Sequence, residues 1–503
     1  MISNNFYESF LKPVFSKKDS SDVAFCIRDK VYSYAQLFDA AEQIYDLVVN
    51  LPDDIIGLYA TDDIRTYASI IALWTCGKTY VPLNPNQPKD RHVDVVTSVG
   101  THYILSADKK YDISLDGVDI LSTKDVVVSG YVRKETMSIK QVDDSALAYI
   151  IFTSGSTGKP KGVQLTRGNV AAFIDSMDNV VGLDITSADK CLQPFDLTFD
   201  FSVSGYVIPL VKGASIYTIP QKAIKFSYIA GLLEDYHLTV LQMVPSMVRN
   251  MLPYIAELEL ESIRYNIFCG EALTGKVLKA WHEGNKNMVS YNMYGPTEDT
   301  VFCTYYKIDK SKIANPLSSN DIINIGKTFV NNGLLLLDDN DRIIKDKDTE
   351  GELCLCGSQL TPGYWMNEKE NKAKFLDING ERYYRTGDLC YYGDDQNLMY
   401  VGRKDFQVKI NGFRVELGEI ENRYSEISGG RFAVVMPFVN EQDNTELAII
   451  IEGKEYDFKD HKAQLANELP PYELPAKWLF INTIPLNANG KVDRKAIKKH
   501  FEL

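Results

Sequence analysis

No stretch of the 503-residue chain approaches about 18 uninterrupted apolar residues, so nothing in it is long enough to span a membrane. The opening run MISNNFYESFLKPVFSKKDS lacks an unbroken apolar segment and a small-residue cleavage site, and no secretion signal is read there. A basic excess is also missing. The net charge is -14, which argues against a general nucleic-acid binder and fits a cytoplasmic protein kept apart by self-repulsion. The eight cysteines are scattered and none forms a CxxC pair, which disfavours zinc and thioredoxin-like chemistry. Cys354 and Cys356 alternate within LCLC and fall on one face of a strand, as reduced, small core side chains. The six histidines do not cluster, and HExxH and GxSxG are absent, so metal-dependent and serine hydrolysis are unsupported. No GxGxxG follows a strand, and there is no repeat or low-complexity segment.

What is present is alternation. Short apolar runs (146–152, 238–243, 265–269, 288–293) end in loops of Gly, Pro, Ser or Thr, with helical patterns at 228–236 and 273–282 between them. This predicts an α/β fold with packed, mostly parallel sheets and helices, and ligands at the carboxyl ends of the strands. The length exceeds one core of roughly 250–300 residues. We place a large domain at 1–403 and a small, mobile α+β domain at 404–503. The small domain should contain strands at 406–410 and 413–415 joined by an Asn411-Gly412 turn, a helix at 419–427, strands at 431–438 and 446–452, and a helix near 460–468.

The run IIFTSGSTGKPKGV, from Ile150 to Val163, is the most informative. A strand leads into Thr153, Ser154, Gly155, Ser156, Thr157, Gly158 and Lys159, with Lys161 beyond. Glycines let backbone amides approach phosphate oxygens, hydroxyls add donors, and lysines add charge. It is not a Walker A loop: Thr153 stands where that motif needs glycine, and Pro160 follows Lys159.

TSGSTGKPKG resembles the signature loop of the AMP-forming (adenylate-forming) ligase superfamily, and further matches follow in order over nearly the whole chain. They are KTYVPLNPNQP (78–88), NMYGPTED (292–299), GELCLCG (351–357), YRTGDL (384–389), GRKDFQVKINGFRVELGEIE (402–421) and PLNANGKVDRKA (485–496). The resemblance implies ATP and Mg2+ as cofactors. It places adenine against Tyr294, with Asn292, Met293 and the Gly270 backbone nearby and Gly295, Pro296 and Thr297 in the same loop. It gives the ribose to Asp388 and Arg403, the metal to Glu298 with help from Thr157, catalysis to Lys491, and a hinge to Asp405. Lys491 would hold the substrate carboxylate near the α-phosphate and offset charge as pyrophosphate leaves. The small domain would then swing and present the Gly412 region to a thiol.

FDLTFDFS (195–202) is similar to the motif of the amino-acid-activating branch, in which an aspartate binds the substrate ammonium. That role is given to Asp196, with Leu197, Cys269 and Val301 lining the substrate pocket. Gln242, Ile267, Met293 and Phe302 are assigned to the same pocket. An inward-facing Asp200 would instead favour a basic side chain. Without such an aspartate the chain would read as an acyl-CoA synthetase-type ligase for a non-amino acid. IFCGEAL (267–273) with Cys269 and Val301 is similar to the D-alanine–carrier protein ligases, which makes D-alanine the expected substrate. No phosphopantetheine attachment motif is visible, so the acceptor is expected to be a separate carrier protein. Lys404, Lys409 and Arg414 are candidates for a basic patch facing it.

Overall fold

The computed structural model describes residues 5–113, 115–154, 160–309, 321–404, 407–456, 458–486 and 492–503. The fold is mixed α/β. The chain first builds two sheets. In one, the parallel strands Val289–Tyr294, Tyr265–Phe268, Val240–Met243, Lys190–Gln193, Ser215–Thr218 and Val23–Ile27 lie side by side, with antiparallel strands at both ends. In the other, Tyr103–Ser106, Ile55–Tyr59, Thr79–Leu83 and Leu147–Thr153 run parallel, and Lys161–Thr166 returns antiparallel. The buried strands are almost continuously apolar, as parallel strands covered on both faces require. A third sheet, which the strand–helix alternation did not foretell, is antiparallel throughout and holds Asn332–Leu337, Gly351–Gly357, Glu381–Tyr392 and Leu398–Arg403. Cys354 packs there beside Leu335 and Leu337, and all eight cysteines are buried with free thiols.

Residues beyond 407 form their own apolar clusters, around Val415, Ile420, Tyr424 and Ile449 on one face of the sheet and Val434, Ile450 and Ile497 on the other. A hairpin, Gln407–Ile410 and Phe413–Glu416, turns at Asn411 (φ 50°) and Gly412 (φ 86°). Positive φ at both central residues is the turn that matches strand twist. The helix Leu417–Ile427, the strands Ala433–Val439, Thr445–Glu452 and Lys477–Ile481, and the helix Lys459–Glu468 complete the unit. Among the described residues, no helix is long and apolar enough to cross a membrane.

Arg167 braces the second sheet against the N-terminal segment. It opens the helix Arg167–Asp178, which Thr166 and Asn169 cap reciprocally. The guanidinium is buried, donates to Trp74 O (3.0 Å) and Lys78 O (3.2 Å), and stacks on the Phe6 ring. Arg167→Ala removes the guanidinium from two buried carbonyls, of which Trp74 O keeps the Gly77 amide, and leaves a cavity, so we expect about 3 kcal/mol of destabilisation. Urea unfolding reads this directly; a loss below about 1 kcal/mol would show that the site collapses without cost.

Candidate active site

The site lies where strand ends of the first two sheets, the third sheet and the Gln407–Glu416 hairpin converge. A cavity of about 70 Å³ is lined by Thr153, Ser154, Asp200, Phe201, Cys269, Gly270, Tyr294, Gly295, Pro296, Thr297, Val301, Asp388 and Arg403, together with Lys409, Gly412 and Arg414 of the hairpin. It is far smaller than the roughly 300–1,000 Å³ of ordinary ligand clefts, because the hairpin fills it. The Gly412 Cα lies 3.5 Å from where a Gly270 side chain would begin, and a Cβ on Gly412 would meet Val244 at 2.7 Å.

Each element delivers its residue for a local reason. Antiparallel pairing sets Asp388 opposite Arg403, whose guanidinium donates to Asp388 Oδ1 at 2.8 Å. Tyr294, at the end of its strand, donates its hydroxyl to Asp388 Oδ2 at 2.5 Å. Asn292 donates to the Ile323 and Asn324 carbonyls and, with Met293, Gly270 and Tyr400, lines an adjoining slot. Ser154 donates its hydroxyl to the Arg414 carbonyl at 2.7 Å. Lys161 pairs with Glu370 at 3.1 Å.

Glu298 is 1% exposed. Tyr364 donates to it at 2.6 Å, and the Arg414 guanidinium meets both carboxylate oxygens at 3.2 Å. Burial pushes this carboxyl up, but the charge of Arg414 and the tyrosine hydroxyls outweigh burial and hold it at about 2. Among the described residues no group of three His, Cys, Asp or Glu side chains could hold a metal alone. A single buried carboxylate sharing an ion with nucleotide phosphates is how Mg2+ is commonly held, so Glu298 suits that ion.

The structure does not bring Asp196 and Leu197 to this cavity. The Phe199 amide bonds the Asp196 carbonyl and closes a turn, which leaves Asp196 and Leu197 beside Lys225 and Gln221 in a neighbouring pocket. Asp196 also borders a larger cavity of about 750 Å³ with Asn84, Met247 and Tyr472. Asp200 lines the central cavity instead. It precedes the helix Phe201–Lys212 yet spends no side-chain bond on capping it. Burial raises its carboxyl to about 6, against the opposing pull of Thr297 and Lys409. The sequence places Asp200 in the pocket only as a partner for a basic substrate side chain and gives the ammonium to Asp196, the first of two Phe-Asp pairs.

Phe201 stacks on Phe195 and meets Phe302 edge-on at 5.0 Å, closing the floor beside Cys269 and Val301. Gln242, Ile267, Met293 and Phe302 do not line the central cavity, and all four are buried. Thr300 (φ 49°) and Val301 (φ 71°) carry left-handed backbone, rare for β-branched residues. Of the expected basic patch only Lys404 is on the surface, paired with Asp339, whereas Lys409 sits 5.7 Å over the Tyr294 ring and Arg414 is on Glu298. Both hairpin side chains face inward because the hairpin docks onto the site. Gly155, Ser156, Thr157, Gly158, Lys159, Asp405 and Lys491 lie outside the described residues.

Residues 15–365 match the model of the AMP-binding enzyme family, and the chain belongs to that family. It is therefore a nucleotide-handling enzyme of the AMP-binding ligase class. It is 28% identical over 500 residues to a D-alanine--D-alanyl carrier protein ligase of Bacillus licheniformis, covering 96% of this chain and 97% of that one. It is 32% identical over 476 residues to bacitracin synthase 3 of the same species, covering 92% of this chain but 7% of that protein. Against the synthetases the chain thus spans a small fraction of their length. The Vibrio cholerae adenylation domain AlmE, solved with glycyl-adenosine-5'-phosphate, superposes with a TM-score of 0.86 at 24% identity, covering 100% of this chain and 98% of that one.

Proposed function

We propose that the protein activates a small amino acid with ATP, forming an aminoacyl-adenylate and releasing pyrophosphate, and then passes the acyl group to the phosphopantetheine thiol of a separate carrier protein in the cytoplasm. The observation that carries this reading is Asp200, a desolvated carboxylate without a full counter-ion, set in a closed-floored pocket beside the Tyr294–Asp388–Arg403 group. A buried carboxylate facing an ammonium is favourable and selective. A non-amino acid would leave that carboxylate unpaired, which disfavours the acyl-CoA synthetase alternative. Phe201, Cys269 and Val301 wall the pocket beside Asp200, and we take a small side chain, that of D-alanine or glycine, as its fit. The D-alanyl carrier protein ligase and glycyl-adenylate relatives support both choices.

Glu298 would hold Mg2+, which neutralises phosphate charge. Tyr294 and Asn292 would seat the base, and Asp388 with Arg403 would fix the ribose. Lys491 would orient the substrate carboxylate toward the α-phosphate.

The test is ATP–pyrophosphate exchange with the common L-amino acids, D-alanine, glycine, and several fatty and aryl acids. A signal confined to D-alanine or glycine supports the reading. Exchange driven only by acids without an α-amine overturns it.

The same pocket predicts a pH dependence. The Asp200 carboxyl keeps its proton up to about pH 6, and only the carboxylate pairs with an ammonium. The KM for the amino acid should therefore climb as pH falls below about 6, approaching tenfold per unit, while the KM for ATP changes little. A flat amino-acid KM between pH 5 and pH 7 would remove Asp200 from that role.

A further inference from the structure

Glu298 cannot stay buried as an unpaired anion, because a desolvated carboxylate without a partner is strongly unfavourable. In this structure its partner is Arg414, carried in by the small-domain hairpin. The rest of the hairpin is anchored to the same site. Ser154, at the start of the phosphate loop, holds the Arg414 carbonyl, and Gly412 lies against Gly270. Phe413 packs on Phe199 and stacks on Tyr472 at 4.0 Å. The Arg414 side chain is braced by Gln407, and Gln407 by Glu416. Lys161 reaches Glu370 on one side and stands 3.9 Å from Glu416 on the other.

We propose that Arg414 is an internal cation that takes the place of the divalent metal on Glu298, so that metal–ATP and the docked Gln407–Glu416 hairpin exclude one another. The inference rests on the reading that ATP binds beside Tyr294 and Asp388. Two cations on one carboxylate repel, and Arg414 already meets both Glu298 oxygens when the hairpin is docked. Metal and triphosphate must therefore expel the hairpin. Departure of pyrophosphate with its metal leaves Glu298 anionic, and Arg414 then draws the hairpin back. This makes Arg414 a positioning residue for the step after adenylation, and it links product release to domain placement without another signal.

The experiment uses the whole chain with the analogue α,β-methylene-ATP. Hydrogen exchange of the 407–416 amides is followed with no ligand, with analogue plus EDTA, and with analogue plus Mg2+. In parallel, free Mn2+ is counted by electron paramagnetic resonance during titration of the analogue complex. Exchange in the hairpin should rise at least about tenfold with Mg2+ and analogue, and far less with EDTA. Arg414→Met should bind Mn2+ about tenfold more tightly than wild type, since it removes the competing cation, and its hairpin should exchange fast with or without metal. Arg414→Lys should restore part of the competition. The wild-type arms need no variant, so a misfolded Arg414→Met would still leave a result. Equal hairpin protection with and without Mg2+, while calorimetry shows the analogue bound, would overturn the inference alone. No binding of the analogue would overturn the ATP reading and the inference together.

Discussion

Asp200→Ala is expected to lower kcat/KM for amino-acid-dependent adenylate formation roughly a hundredfold, about 3 kcal/mol, whereas Asp196→Ala should change it by less than about threefold. The contrast follows from position. Asp200 lines the cavity shared by Cys269, Val301 and Tyr294, and burial has already raised its carboxyl. An ammonium arriving there gains a partner in a dry pocket, and removing the carboxylate leaves that ammonium desolvated and alone. Asp196 borders other cavities, where burial raises its carboxyl and the Lys225 charge opposes that shift. ATP–pyrophosphate exchange at subsaturating amino acid, with circular dichroism as a folding control, makes the comparison. The reverse order of effects would return the amine to Asp196.

Lys491→Ala should carry the other large effect, a fall of about 10²–10³ in the rate of adenylate formation. Lys491 stands in the motif PLNANGKVDRKA. Oxygen attack at the α-phosphorus builds negative charge while two anions approach each other. An ammonium held between them stabilises the transition state more than either ground state. ATP affinity should fall much less than the rate, which single-turnover measurements with radiolabelled ATP would separate. Exchange within about threefold of wild type would remove Lys491 from the chemistry.

Most of the local structure was legible because the residues that set it are neighbours in sequence. Asn411-Gly412 predicts its own turn, and the apolar runs predict their own strands to within a residue or two. Tyr294, Asp388 and Arg403 converge because each occupies a fixed place at the end of a strand or on an antiparallel pair. What was not legible depended on contacts between distant segments. FDLTFDFS holds two Phe-Asp pairs four residues apart, and nothing local says which carboxylate turns toward the cavity. That choice is made by the turn closed by the Phe199 amide and by the helix that begins at Phe201. Lys409 and Arg414 read as a surface patch because the pattern of a hairpin does not reveal what it docks against. The antiparallel third sheet was missed because its strands do not alternate with helices.

Val301 gives the pocket an unusual evolutionary slope. Enlarging a binding site normally sacrifices stability, since a wall is also part of the core. Here the residue that narrows the pocket sits at φ 71°, a conformation that costs a β-branched residue about 1–3 kcal/mol. Its carbonyl also presses so close to Gly295 that a Cβ there would lie 2.4 Å away. Replacing Val301 with glycine would widen the chamber and release the torsional penalty in one step. The relief offsets part of the packing lost with the Val301 side chain, so broadening substrate choice here costs less stability than at a buried wall residue in ordinary backbone conformation.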